Sequence, residues 1–221
     1  MKIIAMIPAR LGSQRLKKKN LQLLRGEPVI VHAIRKALVV ECFDEVWVNS
    51  ESDEIGQVAI ATGAKFHKRP ENLANNIATS EDFVYEFLLD HECDYVVQLH
   101  SIAPLVSTLD IENFVEEIKK NKADIFLSVE EIQIECAFNS QPVNFYLDRK
   151  TNSQELTPVQ RIMWSISAWK RDNYIKAYEL KKCATYTGKI KYFPLNKLAS
   201  HVIKTQEDLD YAEALFDLAN K

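Results

Sequence analysis

The stretch Ile4–Asn20, IAMIPARLGSQRLKKKN, decides how the rest of the chain is read. Ile3, Ile4, Ala5, Met6 and Ile7 have the length and β-branched content of a buried strand, and the strand stops at Pro8, which has no N–H to give to a ladder. The loop that follows carries Arg10, Gly12, Ser13, Arg15, Lys17, Lys18 and Lys19. In an open α/β sheet, the carboxyl end of a strand is where ligands bind. Glycine lets backbone N–H groups come close to phosphate oxygens, and arginine grips such oxygens with two parallel hydrogen bonds. The alternative is a solvated basic loop, which is the simpler reading for the lysine triplet taken alone. The spacing excludes a Walker P-loop and a G-x-G-x-x-G turn, because there is one glycine and no lysine followed by a hydroxyl residue.

Around this loop the composition is that of an ordinary globular chain. Its 221 residues suffice for one α/β domain with a sizeable core, and 47% hydrophobic with 27% charged residues is unexceptional. The net charge of −3 argues against a nucleic-acid or anionic-membrane binder, so the basic loop is a local feature. No apolar run approaches the roughly 20 residues that span a bilayer, and Met1-Lys2 leads straight into a strand, so the expected location is cytoplasmic. Cys42, Cys93, Cys136 and Cys183 are widely separated, with no C-x-x-C pair, and read as buried free thiols.

Strand and helix patterns then alternate. Val29 to Leu38 has an apolar stripe at helical spacing behind Pro28, with His32 on its edge; Glu45 to Asn49 is a second strand, followed by an acidic helix start and a terminating glycine. Lys65 to His67 is a third strand. Thr79 or Ser80 is placed to cap a helix from Asp82 to Leu89. Asp94 to Leu99 is apolar enough for the sheet centre, with His100 and Ile102 in the loop beyond it. A helix from Asp110 to Lys119 and a strand from Ile125 to Val129 follow. From Glu130 the alternation weakens, with turn signals at Asn139 to Pro142 and Asp148 to Ser153; residues 130–165 read as an extended insertion in a single domain spanning 1–221. Trp164 to Lys170 is a strand whose tryptophans are packing residues, and Lys189 to Pro194 is another. Thr205 and Asp208 form a capping pair for the last helix.

The opening loop resembles the signature I-P-A-R-x-G-S-x-R-x-x-x-K-N of the cytidylyltransferases that activate acidic sugars, the CMP-sialic acid synthetases and their CMP-Kdo relatives. Pro8, Ala9, Arg10, Gly12, Ser13, Arg15, Lys19 and Asn20 match it. Ser50-Glu51 resembles the family's second landmark, and Arg69, Pro70, Thr79 and Ser80 match its R-P element, where Asn76 stands in place of a common aspartate. Three departures are visible. His100 and Ile102 replace a glutamine and a threonine, the asparagine-glycine pair expected near Trp164 is absent, and Val202 and Lys204 occupy the positions of two metal-binding aspartates.

The resemblance implies a doubly wound, mostly parallel α/β sheet of the Rossmann-like nucleotide-diphospho-sugar transferase type, with a small dimerisation insertion and a homodimer. It implies CTP-dependent activation of a sialic, legionaminic or pseudaminic type of sugar acid to its CMP derivative, with pyrophosphate released. Arg10, Arg15 and Lys19 would carry the catalysis; Pro8, Ala9, Arg10, Gly12, Ser13, Asn20, Arg69, Ser80 and His100 would bind the nucleotide; Arg161, Ser165 and Ser167 would meet the sugar. Mg2+ is expected with CTP, yet its protein ligands are missing, with Asp208 the remaining acidic residue at that end. The departures keep two alternatives open: a different acceptor such as Kdo or a phosphonate, or a nucleotide-binding relative without catalysis.

Overall fold

The computed structural model describes residues 1–120 and 122–219. Seven strands form the main sheet: β1 Ile3–Pro8, β2 Glu45–Ser50, β3 Lys65–Lys68, β4 Tyr95–Leu99, β5 Ile125–Ile132, β6 Val159–Lys170 and β7 Ile190–Pro194. Their spatial order is β7-β5-β6-β4-β1-β2-β3. All neighbouring pairs are parallel except the two made by β6, which runs antiparallel to β4 and β5. The expected mostly parallel, doubly wound sheet is therefore what forms.

Strand β1 explains why the sheet is covered on both faces. Its five apolar residues alternate sides: Ile3, Ala5 and Ile7 join one core, and Ile4 and Met6 join the other, with every one of them buried. Helices α1 (Val29–Val39), α2 (Asp53–Thr62) and α4 (Thr108–Lys120) pack on the first core, while α3 (Ser80–Asp90) and α5 (Arg171–Glu179) pack on the second. Helix α6 (Gln206–Ala219) covers a smaller cluster through Leu209 and Ala212 against Leu24, Val29 and Ile203. None of the described helices is long and apolar enough to cross a membrane.

Local chemistry fixes the helix ends. Ser52 accepts the Ile55 N–H at the start of α2, and Gly63, at φ 100°, ends that helix in the left-handed region that suits glycine. Thr79 and Asp82 form a reciprocal capping box on α3, so the cap is Thr79 and Ser80 is the first helical residue. The Asp208 carboxylate serves the same purpose for α6, accepting from the Lys204 and Thr205 N–H groups, each at 2.9 Å.

Two expectations are corrected here. His32 is buried rather than at the helix edge, its Nε2 facing the Leu24 carbonyl at 2.8 Å. The four cysteines are unpaired as expected, but three are half-buried and Cys183 is exposed.

Between β5 and β6 the chain leaves the sheet. A short ribbon pairs Ala137–Phe138 with Gln141–Pro142 through Asn139 and Ser140, both at positive φ, as a tight hairpin turn requires. On return, β6 pairs with β5 from Val159 and breaks register between Ile162 and Ser167, where Trp164 sits at φ 60°. Trp169 is a packing residue, buried with its indole N–H donating to the Thr185 carbonyl at 3.2 Å.

Candidate active site at the carboxyl ends of β1 and β4

The loop after β1 is held at both ends by buried polar groups. At its start, the Ala9 N–H donates to the Asn49 carbonyl at 3.0 Å, continuing the sheet by one bond. Glu51, at the end of β2, accepts the Leu11 N–H on one oxygen at 2.8 Å and Arg69 Nη2 on the other at 3.2 Å. The same Arg69 nitrogen donates to the Ala9 carbonyl at 2.8 Å. At the far end, Asn20 is 4% exposed; its Nδ2 donates to the Arg10 carbonyl at 3.0 Å and its Oδ1 accepts the Ser101 hydroxyl at 2.7 Å. Asn20 thus ties this loop to the one after β4.

The loop then folds around an open cleft of about 280 Å³. Of the residues singled out in the sequence, Pro8, Ala9, Arg10, Ser13, Arg15, Lys19, Asn20, Arg69 and His100 line it. Lys204, Ile102, Ser101, Phe83, Gln14 and Leu16 complete the lining. Gly12, on the same loop, has no heavy atom within 4 Å of where a Cβ would sit, and its φ lies outside the left-handed region. Neither packing nor a positive φ calls for glycine there, and Gly12 itself is exposed beside the residues that line the cleft.

Charge in the cleft is one-sided. Arg10, Arg15, Lys19, Arg69 and Lys204 contribute five cations, and among the described lining residues there is no aspartate or glutamate. Burial holds the Lys19 ammonium below the usual lysine range, helped by Arg15, Arg10 and Lys204. Arg10 donates from Nη1 to the Asn75 carbonyl and to Asn76 Oδ1, each at 3.1 Å, so Asn76 positions this arginine through a neutral amide rather than a carboxylate. Arg69 lies over the Phe83 ring, 4.8 Å from its centroid, and its buried Nε has no partner among the described residues.

His100 is neutral near pH 7, because burial first and Lys19 second lower it to about 4. The Gln98 side-chain amide lies against its Nε2, and its backbone N–H donates to the Ser165 carbonyl at 3.1 Å. Ile102 offers backbone chemistry instead of a hydroxyl. Its carbonyl accepts the Ile203 N–H at 2.8 Å, which brings the C-terminal segment and Lys204 to the cleft rim.

Other sequence-predicted residues lie elsewhere. Ser80 is exposed at the start of α3 and is absent from the described cleft lining; Phe83, one turn on, faces the cleft instead. Arg161 is exposed and paired with Glu130 across the β5–β6 ribbon. Ser165 donates to the Ala199 carbonyl, and Ser167 is buried with no partner for its hydroxyl among the described residues. Neither serine, nor Arg161, is among the described lining residues. Lys18 turns away to pair with Glu54 at 2.8 Å, so for that residue the solvated reading holds. Phe83 and Ser101 were missed in sequence because an aromatic on a helix and a serine beside a histidine carry no signal without the fold.

Among the described residues the cleft lining offers a divalent ion no carboxylate. Val202 packs partly buried against the main core, and Lys204 presents a cation. The nearest acidic groups are engaged, since Glu51 is shared by Leu11 and Arg69 and Asp208 caps α6. The donor set does not fit a protein-held magnesium, which requires carboxylate or other hard oxygen ligands.

The cytidylyltransferase family profile matches residues 4–220. Over 128 residues the chain is 36% identical to the N-acylneuraminate cytidylyltransferase A of Danio rerio, a match that covers 58% of this chain and 30% of that protein. Over 234 aligned positions it is 28% identical to the pseudaminic acid cytidylyltransferase of Campylobacter jejuni, covering 98% of this chain and 97% of that one. The structure of CMP:2-keto-3-deoxy-manno-octonic acid synthetase complexed with CTP superposes with a TM-score of 0.73 at 20% identity, covering 99% of both chains, which establishes a shared fold. With the profile running almost end to end, and the loop that opens it lining the cationic cleft, the chain belongs to the cytidylyltransferase family.

Proposed function

We propose that this chain is a CTP-dependent cytidylyltransferase that activates an acidic 2-keto-3-deoxy sugar of the sialic, legionaminic or pseudaminic type to its CMP derivative. The observation that carries the reading is the five-cation cleft without a described carboxylate at the carboxyl ends of β1 and β4. Such a cleft is unfavourable empty and favourable around a triphosphate. An acceptor hydroxyl attacks the α-phosphorus, the bond to the bridging oxygen breaks, pyrophosphate leaves and the acceptor's proton passes to solvent or a base. Arg10, Arg15 and Lys19 stabilise the charge on the phosphates, and the loop around Gly12 and Ser13 supplies close donors. Arg69 adds its charge to the same wall, and neutral His100 frames the nucleoside.

In this reading residues 1–221 are one domain, and 130–165 are an arm that pairs two copies. Support comes from the apolar surface the arm exposes, with Phe138 at 71% and Leu147 at 80%. The second copy brings Arg161 to the sugar's carboxylate. The substrates are cytoplasmic metabolites, which places the enzyme in the cytoplasm. Pyrophosphate release measured with CTP and a panel of sugar acids tests the proposal. CTP binding without turnover on any acid sugar would overturn it.

A further inference from the structure

We propose that Lys204 neutralises the bound triphosphate with a fixed ammonium, so that this cleft binds a nucleoside triphosphate without a divalent ion. The inference rests on the reading of the cleft as a triphosphate site. Two hydrogen bonds fix the backbone around Lys204: the Ile203 N–H to the Ile102 carbonyl at 2.8 Å, and the Lys204 N–H to Asp208 Oδ2 at 2.9 Å. The side chain therefore starts from a set position on the cleft rim, and it lines the same space as Arg10, Arg15 and Lys19.

The local charge balance favours the free nucleotide. Surface cations elsewhere in the chain are commonly matched, as Lys18 is by Glu54, Arg25 by Asp217 and Lys68 by Asp53. Among the described residues Arg10, Arg15, Lys19 and Lys204 form no ion pair, with Asp208 acting on Lys19 only weakly through space, and of the five only Arg69 is paired, with Glu51. Four unmatched positive charges face a triphosphate that carries roughly four negative charges once its terminal group has lost its second proton. Adding a divalent ion to that set would place two more positive charges among like charges, with no described carboxylate in the lining to hold it. Two acidic groups next to lining residues are committed elsewhere, Glu51 to the loop and Arg69, Asp208 to the helix cap.

Titration of CTP into the protein, in chelator and in excess magnesium, tests this. The expected result is binding in chelator at least as tight as in magnesium. Lys204→Asp is expected to weaken binding in chelator by tenfold or more and to make it respond to magnesium, whereas Lys204→Arg restores the original behaviour. Thermal melts of the variants confirm that they fold, since the side chain is exposed. Binding by the unaltered protein only when magnesium is present overturns the inference, as does unchanged chelator binding by Lys204→Asp. Binding in neither condition overturns instead the assignment of the cleft to a triphosphate.

Discussion

The Ser101 hydroxyl donates to Asn20 Oδ1 at 2.7 Å, so the loop after β4 and the loop after β1 share one buried hydrogen bond. Asn20 spends its amide nitrogen on the Arg10 carbonyl, which makes this side chain the link between the loop after β1 and the loop after β4. Ser101→Ala leaves a buried acceptor unpaired and is expected to cost about 1–3 kcal/mol of stability. Asn20→Ala breaks both bonds and should cost at least as much while also weakening CTP binding. Urea unfolding and CTP titration of the two single variants and the double variant check this. Additive losses would show that the two residues are not coupled.

Gly12→Ala separates folding from binding. A Cβ there meets nothing within 4 Å and the backbone is in an ordinary region, so stability should change by less than about 0.5 kcal/mol. CTP affinity should nevertheless fall, because the added methyl occupies the space through which phosphate oxygens would approach the loop. A melting temperature that drops with unchanged CTP affinity would reverse the assignment.

Much of this was legible in the chain, and the limits have physical causes. The alternation of strands and helices followed from apolar runs and turn residues, the parallel sheet came with the resemblance, and β1 was readable because both of its faces are buried. The direction of β6 was not readable, because an antiparallel return depends on how far the segment after Ile132 travels before it comes back. In the cleft, Arg10, Arg15, Lys19 and Asn20 lie where their spacing put them, since one short loop fixes them all. Lys204 arrives from 184 positions after Asn20 through a backbone bond between Ile102 and Ile203, a contact that no local pattern encodes. Ser80 is the opposite case: a hydroxyl at a helix start carries the same local signal for a cap, a first turn or a ligand, and here it stands exposed in the first turn.

Glu51→Gln tests the pair that holds the loop's start. Arg69 is 3% exposed, and burial already works against its charge, with Glu51 the leading compensation. Removing that carboxylate leaves a buried guanidinium uncompensated and is expected to cost roughly 3 kcal/mol. Arg69→Met together with Glu51→Gln should recover part of the loss, because no charge is then stranded. Chemical denaturation of the three proteins decides the matter, and a double variant less stable than Glu51→Gln would contradict it.

Arg161→Ala should barely alter stability, by less than about 1 kcal/mol, because its pair with Glu130 is exposed. If Arg161 meets the sugar's carboxylate across a dimer, the variant raises KM for the acid substrate and leaves CTP affinity as it was. An unchanged KM for the acid would remove Arg161 from the sugar site.

Acid should weaken the fold before its carboxylates titrate. His91 is lowered to about 4, by burial first and His67 next, against the smaller opposing pull of Asp90 and Glu45; His100 is lowered to about 4 by burial and Lys19. In the unfolded chain both rings take up a proton near pH 6.5. Between about 4 and 6.5 the unfolded state therefore binds more protons, so stability is full above that window and falls as pH drops through it. The paired carboxylates Asp82 and Asp208 are held below their ordinary value, so their contribution is lost only at lower pH. Urea midpoints measured from pH 7 to 4 should decline, with up to about two protons taken up on unfolding near pH 5 by His91 and His100 and a further part by His32, which burial also lowers. Replacing both residues, as His91→Gln with His100→Gln, should flatten that slope while lowering stability at pH 7. A wild-type midpoint that stays level down to pH 4.5 would mean that neither ring is kept neutral by the fold.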